Sequence, residues 1–472
     1  MSELADTLIE QFAALCGPGG ALVADSDVAP YVHEPRGIWT GRSRLVLRPG
    51  DTQTVSKVLA LANETKTPVV PRGGGTGLVG GQVPDASGAA IMLSLERMNR
   101  VREIDASSDT ITVEAGATLQ AVRDAAASID RLFPLSLGSQ GTCQIGGNLS
   151  TNAGGTGVLA YGNTRELCLG LEVVLPTGEV LDDLRKLKKD NTGYDLKNLF
   201  IGAEGTLGVI TAAVMKLYAM PKGREAAYAA VTSPSDALAL FERASRAAGP
   251  QLTAFELMPA IGVEFVTRHI PGTRAPFAAP YPWMALVEIS SHRSAEDARE
   301  TLETVLGAAI EEGIALDAVV SESFAQRDAF WALREAMSDA QRPEGYSIKH
   351  DISVPVAAIP DFMAQAQRAV LAIEPAARIV AFGHMGDGNL HYNVSQPVGG
   401  DSNAFAALKT QITPAVHALV RAFDGSISAE HGIGQMKRAE LLDTAPRLAI
   451  DLMRRIKRAF DPAGIMNPGK VI

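Results

Sequence analysis

The sequence predicts an α+β protein of two or three domains, and three observations lead there. At 472 residues the chain is longer than one hydrophobic core ordinarily organises. Up to about Pro221, short β-branched runs are separated by glycine-rich turns. From about Lys222 to Asp424, apolar strands alternate with longer amphipathic helices, a pattern that suits an antiparallel sheet with helices packed on it. The expected division is 1–221, 222–424 and a closing segment, 425–472.

In chain order, DTQTVSKVLALANETK reads as an amphipathic helix followed by the extended TPVVPRGGG. DTITVEAGA, LGLEVVLPTGEVL and LGVITAAVMKLY read as strands. In the second part AAYAAVT, PWMALVEISS and ARIVAFG are strands, while SDALALFERASRAA and AEDARETLETVLGAAIEEG are helices. No fixed-period repeat is present.

Composition excludes several function classes. Hydrophobic residues make up 46% and charged residues 20%, as in a folded enzyme-like chain. A net charge of -10 without a Lys/Arg cluster argues against a nucleic-acid partner. No apolar run reaches the ~18 residues of a membrane span, and MSELADTLIEQFAALCG lacks the regions of a signal peptide, so a cytoplasmic location is expected. Cys16, Cys143 and Cys168 are too few and scattered for a disulfide framework or an iron–sulfur cluster; any metal would use nitrogen and oxygen ligands.

PRGGGTGLVGGQ at 71–82 satisfies G-x-G-x-x-G through Gly75, Gly77 and Gly80. A Rossmann fingerprint must open a helix, yet GQVPDASGAAIML follows, with Pro84 and Gly88 where that helix should run. Two readings remain: a nest of backbone N–H groups that binds an anion, or a plain glycine-rich turn. GSQGTCQIGGNLSTNAGGTGVLAYGNTRE at 138–166 and IGAEGTLGVIT at 201–211 add two segments in which a flat ligand lies directly against backbone. Three such segments point to a long cofactor.

PRGGGTGLVGG, GGNLSTNAGG and GAEGTLGVIT, in this order and spacing, together with the closing NPGK at 467–470, resemble the flavin-binding domain of the vanillyl-alcohol oxidase superfamily. Among its branches the chain is most similar to the D-2-hydroxy-acid dehydrogenases, those acting on D-2-hydroxyglutarate especially. The resemblance covers nearly the whole chain. It implies FAD held between two α+β subdomains, a substrate (cap) domain with an antiparallel sheet, and a C-terminal segment that returns to the flavin. The pyrophosphate would lie on the backbone of Arg72, Gly73, Gly74, Gly75, Thr76 and Gly77, and the ring near Gly146, Gly147, Thr151 and Gly155. Gly81, Gly138, Ser139, Glu204, Gly208, Ile210 and Asn467 would complete the cofactor's surroundings. Covalent-flavin relatives carry histidine where this loop has Gly74 and Gly75, so the FAD is expected to be non-covalent.

GHMGDGNLHYNV at 383–394 holds two of the eight histidines. It reads as a strand, a turn at 385–389 and a returning strand, in which Leu390, Tyr392 and Val394 share one face and His391 and Asn393 the other. Such a turn brings His384 opposite His391, within reach of one divalent ion; two histidines bonded to nearby carbonyls are the other reading. SISAEHGIGQM at 426–436 adds Glu430 and His431 in glycine-broken backbone, where a capped helix start is the alternative. The resemblance implies His384, His391 and Glu430 as ligands of Zn2+ or a similar ion, with His431 left as a base. Three protein ligands leave a position open for substrate.

Oxidising a 2-hydroxy acid removes the hydroxyl proton and a hydride from C2. A cation bound by the hydroxyl and the C1 carboxylate favours loss of the proton, which an imidazole such as His431 accepts near neutral pH. The hydride passes to the flavin N5, and Asn393 would orient the carboxylate.

In FWALREAMSDAQRPEGYSIKHDISVPV at 330–356, Arg334 and Ser338 fall on one face of a predicted helix and Lys349 on the extended segment after it. Spacing alone favours a surface helix with solvated charges. The resemblance implies that they receive a distal carboxylate, through a planar fork, a hydroxyl and a point charge. The D-2-hydroxyglutarate branch generally has threonine at the place of Ser338. Alternatives are a D-lactate, glycolate or D-malate dehydrogenase of the same superfamily, a non-catalytic flavin-holding electron-transfer subunit, and a flavin-free zinc hydrolase. With no iron–sulfur motif and no NAD site, the expected acceptor is an electron-transfer flavoprotein or a quinone; a homodimer is left open.

Overall fold

The structure, a computed structural model, describes residues 3–472 and divides the chain into two compact units. The first comprises the chain up to Gly155, Gly162–Met220 and Glu430–Ile472; the second comprises Thr156–Tyr161 and Pro221–Ala429. The six-residue excursion Thr156–Tyr161 has no counterpart in the sequence reading. Among the described residues no helix is long and apolar enough to cross a membrane.

Among the described residues the first unit has two larger sheets and a two-stranded pair, Arg131–Leu132 with Tyr218–Ala219. One has four strands in the order Ala21–Leu22, Val46–Leu47, Ile91–Ser94, Val69–Arg72, antiparallel at the first pair and parallel at the others. The helix Thr52–Thr65 precedes its last strand. Asp51 caps the helix by accepting from Thr54 N–H at 2.7 Å, and Val55, Val58, Leu59 and Ala62 form its buried stripe. It stops at Lys66 in the left-handed region (φ 57°). The closing segment joins the same sheet: Val69 N–H donates to Ile465 O and Asn467 N–H to Val69 O, both at 2.8 Å. The second sheet is a five-stranded antiparallel one, in the order Val101–Asp105, Thr110–Glu114, Val209–Lys216, Cys168–Val174, Val180–Asp183.

The second unit is organised by an eight-stranded antiparallel sheet buried on both faces. Strand alternation sorts its side chains. Ala227, Ala229, Phe255, Leu257 and Ala381 face one core, covered by helices such as Pro234–Ala248 and Ala295–Glu311. Ala226, Tyr228, Ala230, Met258, Val380 and Phe382 face the other, covered by Ala260–His269 and Phe324–Glu335. The second face positions the polar cluster described below, because Glu256 and His384 share the parity of Met258 and Phe382.

Candidate active site

In the first unit the three glycine-rich segments line one cleft, partly open to solvent. Arg72, Gly73, Gly74, Gly75, Thr76, Gly77, Gly81, Gly146, Gly147, Thr151, Glu204, Gly208 and Ile210 all contribute to its lining. As the rejection of the Rossmann motif requires, no helix follows the first loop before the strand Ile91–Ser94. At Gly74 and Gly146 packing behind the wall excludes a side chain. A Cβ on Gly74 would overlap the Thr142 carbonyl oxygen. The Arg72 guanidinium is committed to the Tyr31, His33 and Pro30 carbonyls at 3.2, 3.1 and 2.9 Å.

Gln82, Gln144, Asn148 and Ser150 are polar residues of the cleft that the sequence reading did not single out. Gln144 Oε1 and Asn148 Oδ1 are buried acceptors without a hydrogen-bond partner, and both residues line the cleft. Orphaned acceptors beside a bare backbone wall suit a flat ring that carries N–H donors, as FAD does. If the wall must stay bare, Gly74→Ala is expected to weaken FAD binding. Overpacking costs about 1–3 kcal/mol, or roughly one to two decades in affinity. A fluorescence titration of apoprotein with FAD checks this, and wild-type affinity would reject the loop as the cradle.

Gly138, Ser139, Gly155 and Asn467 lie outside the lining. Gly155 N–H donates to Glu430 Oε2 at 3.3 Å. Asn467 Nδ2 bridges the carbonyls of Gly81 and Glu204 at 3.0 and 2.8 Å, fastening the closing segment to two cleft loops. Glu204, itself at φ 52°, accepts from Ile433 and Gly434 N–H at 2.7 and 2.9 Å. Burial pushes its pKa up against the pull of those two bonds. Glu204 therefore brackets the loop that carries His431, whose imidazole lines the cleft.

In the second unit the hairpin forms as expected, from Arg378–His384 and Asn389–Ser395, but its register corrects the sequence reading. His384 pairs with Asn389, and Phe382 lies opposite His391. The two histidines are diagonal neighbours on one face, with ring centroids 5.7 Å apart and ring nitrogens within 4.8 Å. Such a pair suits zinc-like coordination. Asn393 is buried further along the same strand.

The helix expected to hold both Arg334 and Ser338 ends at Glu335, and a separate turn, Met337–Ala340, begins after it. At the break Ala336 N–H is shared between Ala332 O and Arg334 O. Arg334 is consequently buried, whereas Ser338 and Lys349 are exposed; Lys349 Nζ donates to Ser338 O at 3.2 Å. Arg334 Nε donates to Glu256 Oε2 at 2.7 Å, and Glu256 Oε1 lies 2.6 Å from His384 Nδ1. Burial works against a charge on Glu256, but Arg334 and His384 outweigh it and hold its carboxyl down at about 2. Sequence reasoning missed Glu256; the available signal was a lone acid within the apolar run LTAFELMP.

Comparisons with known proteins identify the family. The family described as FAD binding domain matches residues 43–183, and FAD linked oxidases, C-terminal domain, matches residues 220–471. A protein of Xanthomonas citri pv. viticola named D-2-hydroxyglutarate dehydrogenase is 38% identical over 447 residues, covering 94% of this chain and 93% of that one. The mitochondrial D-2-hydroxyglutarate dehydrogenase of Danio rerio is 40% identical over 432 residues, covering 92% and 79%. Among solved structures, alkyldihydroxyacetonephosphate synthase superposes with a TM-score of 0.75 at 18% identity, over 99% of this chain and 85% of that one. p-Cresol methylhydroxylase gives 0.74 at 16%, over 99% and 97%. The fold is thus of the vanillyl-alcohol oxidase type, and the chain belongs to the D-2-hydroxyglutarate dehydrogenase family of FAD-linked oxidases.

Proposed function

We propose that the chain oxidises D-2-hydroxyglutarate to 2-oxoglutarate, using non-covalent FAD and a divalent cation, zinc or one like it, held by His384, His391 and Glu430. When bound, FAD supplies a two-electron acceptor for the C2 hydride and the cation a Lewis acid at the hydroxyl. His431, on the wall of the FAD cleft, takes the hydroxyl proton at an imidazole nitrogen. Asn393, buried on the strand that carries His391, donates to the C1 carboxylate. Arg334 receives the distal carboxylate, with Ser338 and Lys349 as the outer, exposed part of that receptor. We place the enzyme in the cytoplasm, with an electron-transfer flavoprotein or a quinone as acceptor.

The observation that carries the substrate is the state of Arg334. Its Nη2 is buried without a hydrogen-bond partner. An unsatisfied buried donor costs about 1–3 kcal/mol, more when charged, and the second carboxylate of a diacid relieves that cost. D-lactate brings only a methyl group.

Arg334→Met should therefore lower kcat/KM for D-2-hydroxyglutarate by roughly one to two decades, while turnover of D-lactate changes far less. Steady-state kinetics of both acids with wild type and variant measure the difference. Equal losses would move Arg334 to the end of the site that both acids share and remove the physical support for the diacid.

A further inference from the structure

We infer that Glu256 is a positioning residue that ties the metal end of the substrate site to its carboxylate end; this rests on the roles proposed above for His384 and Arg334. Glu256 lies in the middle of the fully buried strand Leu252–Pro259 and is itself 1% exposed. A lone carboxylate there would cost several kcal/mol, and an ion pair at such depth barely repays its desolvation, so fold stability alone is a weak reason for it.

Geometry supplies a stronger one. Glu256 pairs directly across from His384 in the sheet, while Arg334 comes from the helix that covers that face. Each carboxylate oxygen is thereby given one partner: Oε1 at 2.6 Å from His384 Nδ1, and Oε2 accepting from Arg334 Nε at 2.7 Å. A carboxylate only accepts, so Nδ1 must carry the hydrogen, and the lone pair of the imidazole is left on Nε2 for a metal ion. On the other side, engagement at Nε leaves the Nη nitrogens uncommitted to Glu256, and Nη2 is buried without a partner. The guanidinium is fixed further by lying over the Phe382 ring, 4.8 Å from its centroid. One side chain thus sets the tautomer of a ligand and the direction of the fork. The spacing between hydroxyl and distal carboxylate in the accepted substrate is set by this bridge.

Glu256→Gln separates this role from a structural one. The amide oxygen can serve Arg334 only if the NH2 group faces His384 Nδ1, which must then accept and move its hydrogen to Nε2, the metal-facing nitrogen. In the FAD-loaded full chain, competition for Zn2+ against a chromophoric chelator should show affinity about 10–100-fold weaker than wild type. The ratio of kcat/KM for D-2-hydroxyglutarate to that for D-lactate should fall as well. Glu256→Asp keeps an acceptor-only group and should recover part of the zinc affinity; it also reads the outcome if the glutamine variant does not accumulate. Wild-type zinc affinity and wild-type substrate ratio in either variant, with only the melting temperature lowered, would reduce Glu256 to a structural ion pair and overturn the inference. His384→Ala is the control. If it too binds zinc normally, the ligand reading fails; if it loses zinc while Glu256→Gln does not, only the positioning role fails.

Discussion

His391→Ala should purify with a full complement of FAD, without its divalent cation, and with turnover lower by about three decades or more. The size follows from several kcal/mol of charge stabilisation supplied by a Lewis acid at an ionising hydroxyl, at ~1.4 kcal/mol per decade. FAD retention follows from placement: the cleft is lined entirely by residues of the first unit, and His391 belongs to the second. Metal analysis, the flavin-to-protein ratio and steady-state rates give the three readings. Near-normal turnover in a rigorously metal-free preparation of the variant would reject His391 as a ligand.

His431→Ala should keep both FAD and metal, yet reduce its flavin about 10²–10⁴-fold more slowly, the ordinary contribution of a positioned general base. Stopped-flow bleaching of the flavin in a single turnover is the decisive measurement, because it isolates the step in which substrate is oxidised from re-oxidation by an acceptor. If the variant instead loses its metal and regains its rate when zinc is restored, His431 is a ligand and the roles of Glu430 and His431 exchange.

The glycine-lined cleft was readable in the sequence because its requirement is local. Backbone that must meet a ligand directly declares itself as Gly73–Gly75 and Gly146–Gly147, and the residues that shut out side chains, such as Thr142 behind Gly74, need not be known. The strands and helices of the second unit were equally legible, since burial on two faces leaves a period-2 or 3.6-residue record along each segment. Register was harder. Four residues, 385–388, separate His384 from its partner Asn389, so His391 stands two positions beyond the residue that pairs with His384. The continuous helix through Arg334 and Ser338 is interrupted at Ala336, and alanine itself announces no such break. Glu256 was invisible for a different reason: its meaning comes from Arg334 and His384, which lie 78 and 128 residues away along the chain.

The closing segment of the first unit has a consequence in time. Val69 finds its last sheet neighbour at Met466, and the Gly81 and Glu204 loops are fastened by Asn467. The ribosome finishes the earlier parts of that unit at Met220 and then makes Pro221–Ala429 of the second unit before these partners are made. Roughly 245 residues at about 5–20 residues per second is an interval of roughly 12–50 s. Through that interval the glycine loops stand without their fasteners, and the second unit, contiguous from Pro221 to Ala429 apart from six earlier residues, is the part able to fold first. A flavin cleft that needs those fasteners is complete only after the closing segment has been made.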